Sequence, residues 1–252
     1  MIYYTIMKKQ ILSIVIFLLT TGCSDNTSDC LSSSGTEVTK LVNLSSFSKI
    51  IVHEGIRLEI KQGLENTLQI KYGKNLIDNI STTINDGVLS IENSTCNLFR
   101  DTSPAQLTLT AIDINEIRNA SQFTISSTET LKFNSLTLFS EDYYLPTENV
   151  GDFDLIIDNN NLNIISNNVS NFTVKGKTNN LFVGFYAGEG TFNGDSLIAQ
   201  NVDVFHRGIN SMIVNPIQKL SGEIRGVGNL ISVNRPPLVD IEAYYTGKLV
   251  FK

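Results

Sequence analysis

The sequence predicts an all-β protein, most of it a β-solenoid with coils of about 20 residues, and three observations carry this reading. Glycines recur at Gly188, Gly208, Gly228 and Gly247, at an almost constant interval, and one further step back falls on Asn168. Period-two apolar alternation flanks them: Leu181/Val183/Phe185 and Phe192 around Gly188, Val202/Val204 and Met212/Val214 around Gly208, Ile224 and Leu230/Ile231/Val233 around Gly228. A fixed period with strand-like alternation marks coils that cannot bury their apolar face alone and must stack. Finally, no apolar helical period persists over about 12 residues beyond the N-terminal leader. Glycine and, less readily, asparagine tolerate left-handed backbone. Asn168, Gly188, Gly208, Gly228 and Gly247 are therefore assigned as corners.

Taken in order, the chain opens with a leader. Met7-Lys8-Lys9 gives a charged start, Ile11 to Leu19 an apolar stretch too short to span a membrane, and Thr20-Thr21-Gly22-Cys23 a closing motif. The last resembles a bacterial lipobox, so residues 1–22 are read as a lipoprotein signal peptide and Cys23 as the lipid attachment site. An ordinary signal peptide cleaved nearby is the alternative. Residues 23–42, rich in Ser, Thr, Asp and Asn, are read as a flexible tether, because such a segment lacks apolar surface to bury. Three cysteines in an exported protein leave one odd; lipidation of Cys23 would leave Cys30 and Cys96 either to pair or to stand as independent thiols.

From residue 43 to residue 252 the reading is one β domain. Ile50/Val52, Ile56/Leu58/Ile60, Leu68/Ile70/Tyr72 and Val88/Leu89/Ile91 are short strands. Asn85-Asp86-Gly87 predicts an antiparallel hairpin, since Asp-Gly takes the positive φ angles of a type I′ turn. Leu76 to Ile80 is long enough for one helical turn only. Leu107/Leu109, Ile117, Phe123/Ile125, Leu136/Leu138 and Phe153/Leu155/Ile157 lead into the repeat, and the step of one period from Ile117 to Leu136 places its start there. Between them, Glu141 to Asn149 reads as an insertion at a corner, with Tyr143 and Tyr144 as a candidate ligand surface.

Phe47 with Ile50-Ile51-Val52, Leu58-Glu59-Ile60-Lys61-Gln62-Gly63, the Asp86-Gly87-Val88-Leu89-Ser90-Ile91 hairpin and above all Leu220-Ser221-Gly222-Glu223-Ile224-Arg225-Gly226-Val227-Gly228 resemble the head GIN domain family. These are autotransporter-adhesin-like proteins, common among exported bacterial lipoproteins. Pro236-Pro237 and Gly247-Lys248-Leu249-Val250 extend the resemblance, which covers Phe47 to Lys252. It implies a right-handed β-helix-like fold and an extracytoplasmic location, and it supplies no catalytic residues.

Composition narrows the function. Charged residues make up 17 % of the chain and the net charge is −6, without a Lys/Arg cluster, which argues against nucleic acid as partner. The 27 asparagines, in runs such as Asn159-Asn160-Asn161, suit corners and stacked side-chain ladders. His53 and His206 lack any local metal-ligand spacing, and neither a cofactor nor a metal is expected. By counting back from the corners, His206 falls in line with Tyr186, Gly226 and Tyr245, and Phe185 with Phe205, Arg225 and Tyr244. That aromatic set, with Phe182, reads either as a binding surface or as core. Asp152, Asp154 and Asp158 alternate along one strand and read either as a carboxylate cluster or as partners of Lys175 and Lys177 in surface ion pairs. The sequence therefore predicts a lipid-anchored structural or binding module of the bacterial envelope, facing periplasm or cell surface and contacting a glycan or envelope protein. A polysaccharide lyase or hydrolase on a β-helix is the alternative.

Overall fold

The structure, a computed structural model, describes residues 33–96, 103–141 and 149–252. The chain first forms β1 (Glu37–Asn43), β2 (Lys49–His53), β3 (Ile56–Gln62), β4 (Thr67–Gly73), a 3-10 turn at Ile77–Asn79, β5 (Ile80–Asn85) and β6 (Val88–Asn93). Short strands β7 (Ala105–Ala111), β8 (Glu116–Ala120), β9 (Ile125–Leu131) and β10 (Ser135–Ser140) follow. Then come four long ones, β11 (Phe153–Ser166), β12 (Asn171–Phe185), β13 (Thr191–His206) and β14 (Met212–Ile224), and finally β15 (Leu230–Ser232), β16 (Leu238–Ala243) and β17 (Leu249–Phe251). All are hydrogen-bonded into one strongly curled sheet of mixed strand orientation.

Antiparallel pairing is confined to the N-terminal part, where β1 pairs with β4, β4 with β7, and β5 with β6. The β5–β6 hairpin turns through Asp86 and Gly87, at φ 50° and 75°, as the Asp-Gly signal requires. The remaining pairings are parallel. β11 lies on β12 with Phe153 opposite Phe172, and β12 on β13 with Phe172 opposite Phe192. Further along the same pair of strands Phe185 faces His206, a step longer by one, and between β13 and β14 the step shortens, so that Val202 faces Leu220. Each long strand thus lies between its predecessor and its successor, so the backbone groups of the ladder find partners in the next length of chain.

Register places like-facing residues in columns. One buried column runs Leu89, Ile50, Ile117, Leu138, Ile164, Val183 and Val204. A second runs Leu107, Leu58, Ile125, Phe153, Phe172, Phe192, Met212 and Leu230, in which the Phe153 and Phe172 rings stack at 4.9 Å and 8°. Both belong to the single hydrophobic core. Buried apolar side chains alternate with outward polar ones along these strands, which is the period-two pattern the sequence displays.

Four expectations change. β1 lies largely within residues 23–42, assigned to the tether on composition, so the folded part begins by Glu37. Its backbone pairs fully with β4 while only Val38 and Val42 pack against the core, and ladder hydrogen bonds leave no mark in an apolar pattern. The step from Ile117 leads to Leu138, not Leu136, because register and not apolar spacing sets the partner. The aromatic line-up also shifts by one: Phe185 is level with His206 and Ile224, while Phe205 is level with Gly184 and Glu223. The cause is a long step, Phe185 to His206, followed by a short one, His206 to Ile224, which a uniform period cannot represent.

The fourth concerns the corners. The chain does bend at residues 167–169, 187–189, 208–210 and 226–228, and the bends are tied by backbone bonds from Gly190 N to Asn168 O, Ile209 N to Gly188 O and Gly228 N to Gly208 O. Among the five assigned positions only Gly188, at φ 88°, has left-handed backbone. At Gly228 the requirement is space, since a Cβ there would lie 2.1 Å from the Asn210 carbonyl oxygen and 2.6 Å from His206 Nε2. At Gly208 the nearest atom would be 3.4 Å away. Gly228→Ala should therefore destabilise by about 1–3 kcal/mol and Gly208→Ala by less than about 0.5 kcal/mol, read from urea midpoints. Equal midpoints would show that the carbonyl approach at Gly228 does not govern the corner.

His206 is fully buried beneath these corners, level with Phe185 at a ring distance of 6.3 Å, and neither ring nitrogen has a hydrogen-bond partner. Burial lowers its pKa from the ordinary 6.5, an effect the Asn210 backbone opposes. The imidazole is thus held neutral in the folded state. The unfolded chain takes up a proton at this residue as pH falls through 6.5 while the folded one resists, so stability present above that pH is lost below it. His206→Leu should lose less stability than wild type between about pH 7.5 and 5, since both proteins carry the same carboxylates. Parallel losses would mean that His206 does not titrate differently on folding.

Candidate functional site

The outward side of β11–β14 carries a different set of columns. Asn161, Asn180, Asn201 and Lys219 are successive register partners, as are Asn163, Phe182, Asp203 and Ser221. Asn180 Nδ2 donates to Asn161 Oδ1 at 3.1 Å and Asn201 Nδ2 to Asn180 Oδ1 at 3.0 Å, while Asn179 Nδ2 donates to Asn160 Oδ1 at 2.8 Å. Such ladders form because like amides repeat at one strand spacing, about 4.8 Å. Alongside, the Asp203 carboxylate accepts from Ser221 Oγ at 3.0 Å. The two columns enclose an open groove of about 350 Å³ with the half-buried Phe182 ring in its wall.

Aromatic side chains continue this face. Gly184 sits between Phe182 and Tyr186, and a Cβ added there would come within 2.9 Å of both rings. Tyr186 stacks on Phe205 at 5.0 Å, and the Arg225 guanidinium lies 4.2 Å above the Tyr244 ring. Of the aromatic set, Phe185 is core, Phe182 and Phe205 are half-buried, and Tyr186, Tyr244 and Tyr245 are exposed. The core reading thus holds for Phe185, and the other members are half-buried or exposed.

The acidic strand behaves as a structural face. Lys177 Nζ lies 3.3 Å from Asp158, its register partner, and Asp152 accepts from the Asn171 backbone N–H at 2.7 Å and side chain at 3.1 Å. His53 Nε2 is 2.9 Å from Ser90 Oγ. Among the described residues no group of three or more His, Cys, Asp or Glu is placed to hold a metal, and no helix is long and apolar enough to cross a membrane.

Cys23, Cys30, Tyr143 and Tyr144 lie outside the described residues. Cys96 is disulfide-bonded, and its partner lies outside them too. The base of the Glu141 to Asn149 insertion is firmly built: Arg118 donates twice to Glu141 Oε1 at 3.1 Å and covers Phe139 at 4.6 Å. On the return side, the Asn149 carbonyl accepts from Ser140 Oγ at 2.9 Å and Asn168 Nδ2 at 3.1 Å. The sequence does not single out the groove residues Asn163, Asn180, Asn201, Asp203 and Lys219, and Ser221 enters it only within the stretch that resembles the family. The signal was present in the asparagines at 161, 180 and 201, but their unequal steps make a column only once the register is known.

No protein of curated function matches this sequence. Among solved structures, one from Bacteroides fragilis described as a "putative adhesin" is 19 % identical, with a TM-score of 0.77 over 86 % of this chain and 97 % of that one. A "putative adhesin" from Parabacteroides merdae is 16 % identical at a TM-score of 0.57, and a "putative lipid binding protein" from Parabacteroides distasonis 15 % identical at 0.58, each over 86 % of this chain and 97 % of the other. At these identities the likeness is one of fold. Residues 46–236 match the family model described as "Putative auto-transporter adhesin, head GIN domain". The chain belongs to the head GIN domain family.

Proposed function

We propose that this protein is an adhesin-like binding module of the bacterial envelope, held to the outer membrane by lipid on Cys23. The observation that carries the binding reading is the outward face of β11–β14, where an amide ladder and the half-buried Phe182 ring line one groove on the sheet. Binding sites combine such fixed polar groups with aromatic surface. Asp152 and Asp158 bond along the sheet to Asn171 and Lys177 and do not form a convergent pair, which weighs against the lyase or hydrolase reading. We also read the stacked part of the chain as a right-handed β-solenoid. Parallel registers that return after one nearly constant step, and bends tied one to the next, support that reading.

The disulfide at Cys96 is assigned to Cys30, because lipidation at Cys23 would occupy the remaining thiol. Location and binding are tested together in cells. Labelled palmitate should enter the wild-type protein and not Cys23→Ala, which should appear in soluble form. Cells lacking the protein, or carrying only Cys23→Ala, should adhere to glycan-coated surfaces several-fold less than wild type. Label retained by the variant would overturn the lipid anchor, and unchanged adherence in the deletion strain would overturn the adhesin reading.

A further inference from the structure

We propose that the groove between the Asn161–Asn180–Asn201 column and Phe182 is a glycan subsite for an uncharged, extended β-linked polysaccharide, laid along the direction in which the strands stack. The proposal rests on the binding reading above and adds the site, the ligand class and its orientation.

Three features of the groove select this ligand. The amides of Asn161, Asn180 and Asn201 are rigidly held by their mutual bonds at 3.1 and 3.0 Å. Asn180 and Asn201 each use one N–H in the ladder and carry a second, while Asn161 joins the ladder as acceptor through Oδ1 and carries its own N–H donors, so the column offers a donor at every strand, about 4.8 Å apart. That interval is close to the advance of one sugar in an extended β-linked chain, so successive hydroxyl groups meet successive amides. Beside the column, the Phe182 ring presents an apolar surface matched to the C–H face of a pyranose. Gly184 leaves room for this ring, since a Cβ there would come within 2.9 Å of Phe182 and Tyr186.

Charge selects further. Within the groove, Lys219 stands at one end of the amide column and Asp203 in the neighbouring column, a balanced pair of opposite sign. Asp203 is oriented by Ser221 at 3.0 Å, as a carboxylate that receives sugar hydroxyls must be. An apolar acyl chain would leave these amides and both charges unpaired, and a nucleic acid would meet one lysine and a carboxylate where it needs clustered cations. A groove of about 350 Å³ has the size of a small-ligand site and holds a short stretch of the chain.

The full-length protein in detergent micelles is titrated with cellohexaose, xylohexaose and N-acetylated chitohexaose as uncharged β-linked probes, and with β-1,4-linked oligomannuronate as the charged comparison. At least one uncharged probe should bind, and oligomannuronate should bind at least about tenfold more weakly than that probe. Phe182→Ala should weaken binding about tenfold, as truncation of an aromatic contact does, whereas Phe182→Tyr should restore it. Urea midpoints establish that the variants fold. Should Phe182→Ala unfold, the exposed Asp203→Ala takes its place, with the same loss expected. Undiminished binding in the folded variant, preferred binding of the charged probe, or no binding of any uncharged probe would overturn the subsite. The lipid anchor and adherence are read separately from Cys23→Ala and the deletion strain, so failure here and failure there are distinguishable.

Discussion

Parallel backbone pairing between successive lengths of chain is the constraint on which the rest depends. A strand of β11–β14 leaves a full row of N–H and C=O groups on each edge, and these find partners only if the next length of chain returns in register. Return after a nearly constant step satisfies them, and everything else follows from that level placement. Like side chains fall above one another, apolar ones inside and polar ones outside. The bends must also coincide, which brings carbonyl oxygens of one bend against the α-carbons of the next.

That last consequence explains where glycine is needed and why. Gly228 has no room for a side chain because a carbonyl from the preceding bend already occupies the position, Gly188 combines the same close approach, 2.2 Å from the Asn168 carbonyl oxygen, with a left-handed backbone, and Gly208 meets neither restriction. Three residues with the same sequence signature thus serve three different physical situations. The same packing accounts for His206. It stands level with Phe185 and Ile224 in an otherwise apolar position, buried and without a partner for either nitrogen, so folding holds it neutral.

On the outer side the same repetition lines up polar groups. Stacked asparagines lock one another into a row, and the row is rigid because its members are fixed by the sheet beneath. Half-exposed Phe182 adds an apolar wall, and Asp203 and Lys219 add one charge of each sign.

The sequence by itself determined the all-β class, the hairpin at Asp86-Gly87, the family and the bends near residues 168, 188, 208 and 228, because each is written in local residue types or in a period longer than any one element. Only the tertiary structure decided which residues share a column. The step between partners lengthens and shortens along the strands, and in a sheet a slip of one residue moves a side chain to the opposite face. Hence Phe185 and Phe205, aligned by counting, point to opposite sides of the sheet. Asn201 and Asp203 join a groove that no contiguous segment contains, and β1 belongs to the fold on the strength of backbone bonds that side-chain pattern cannot encode.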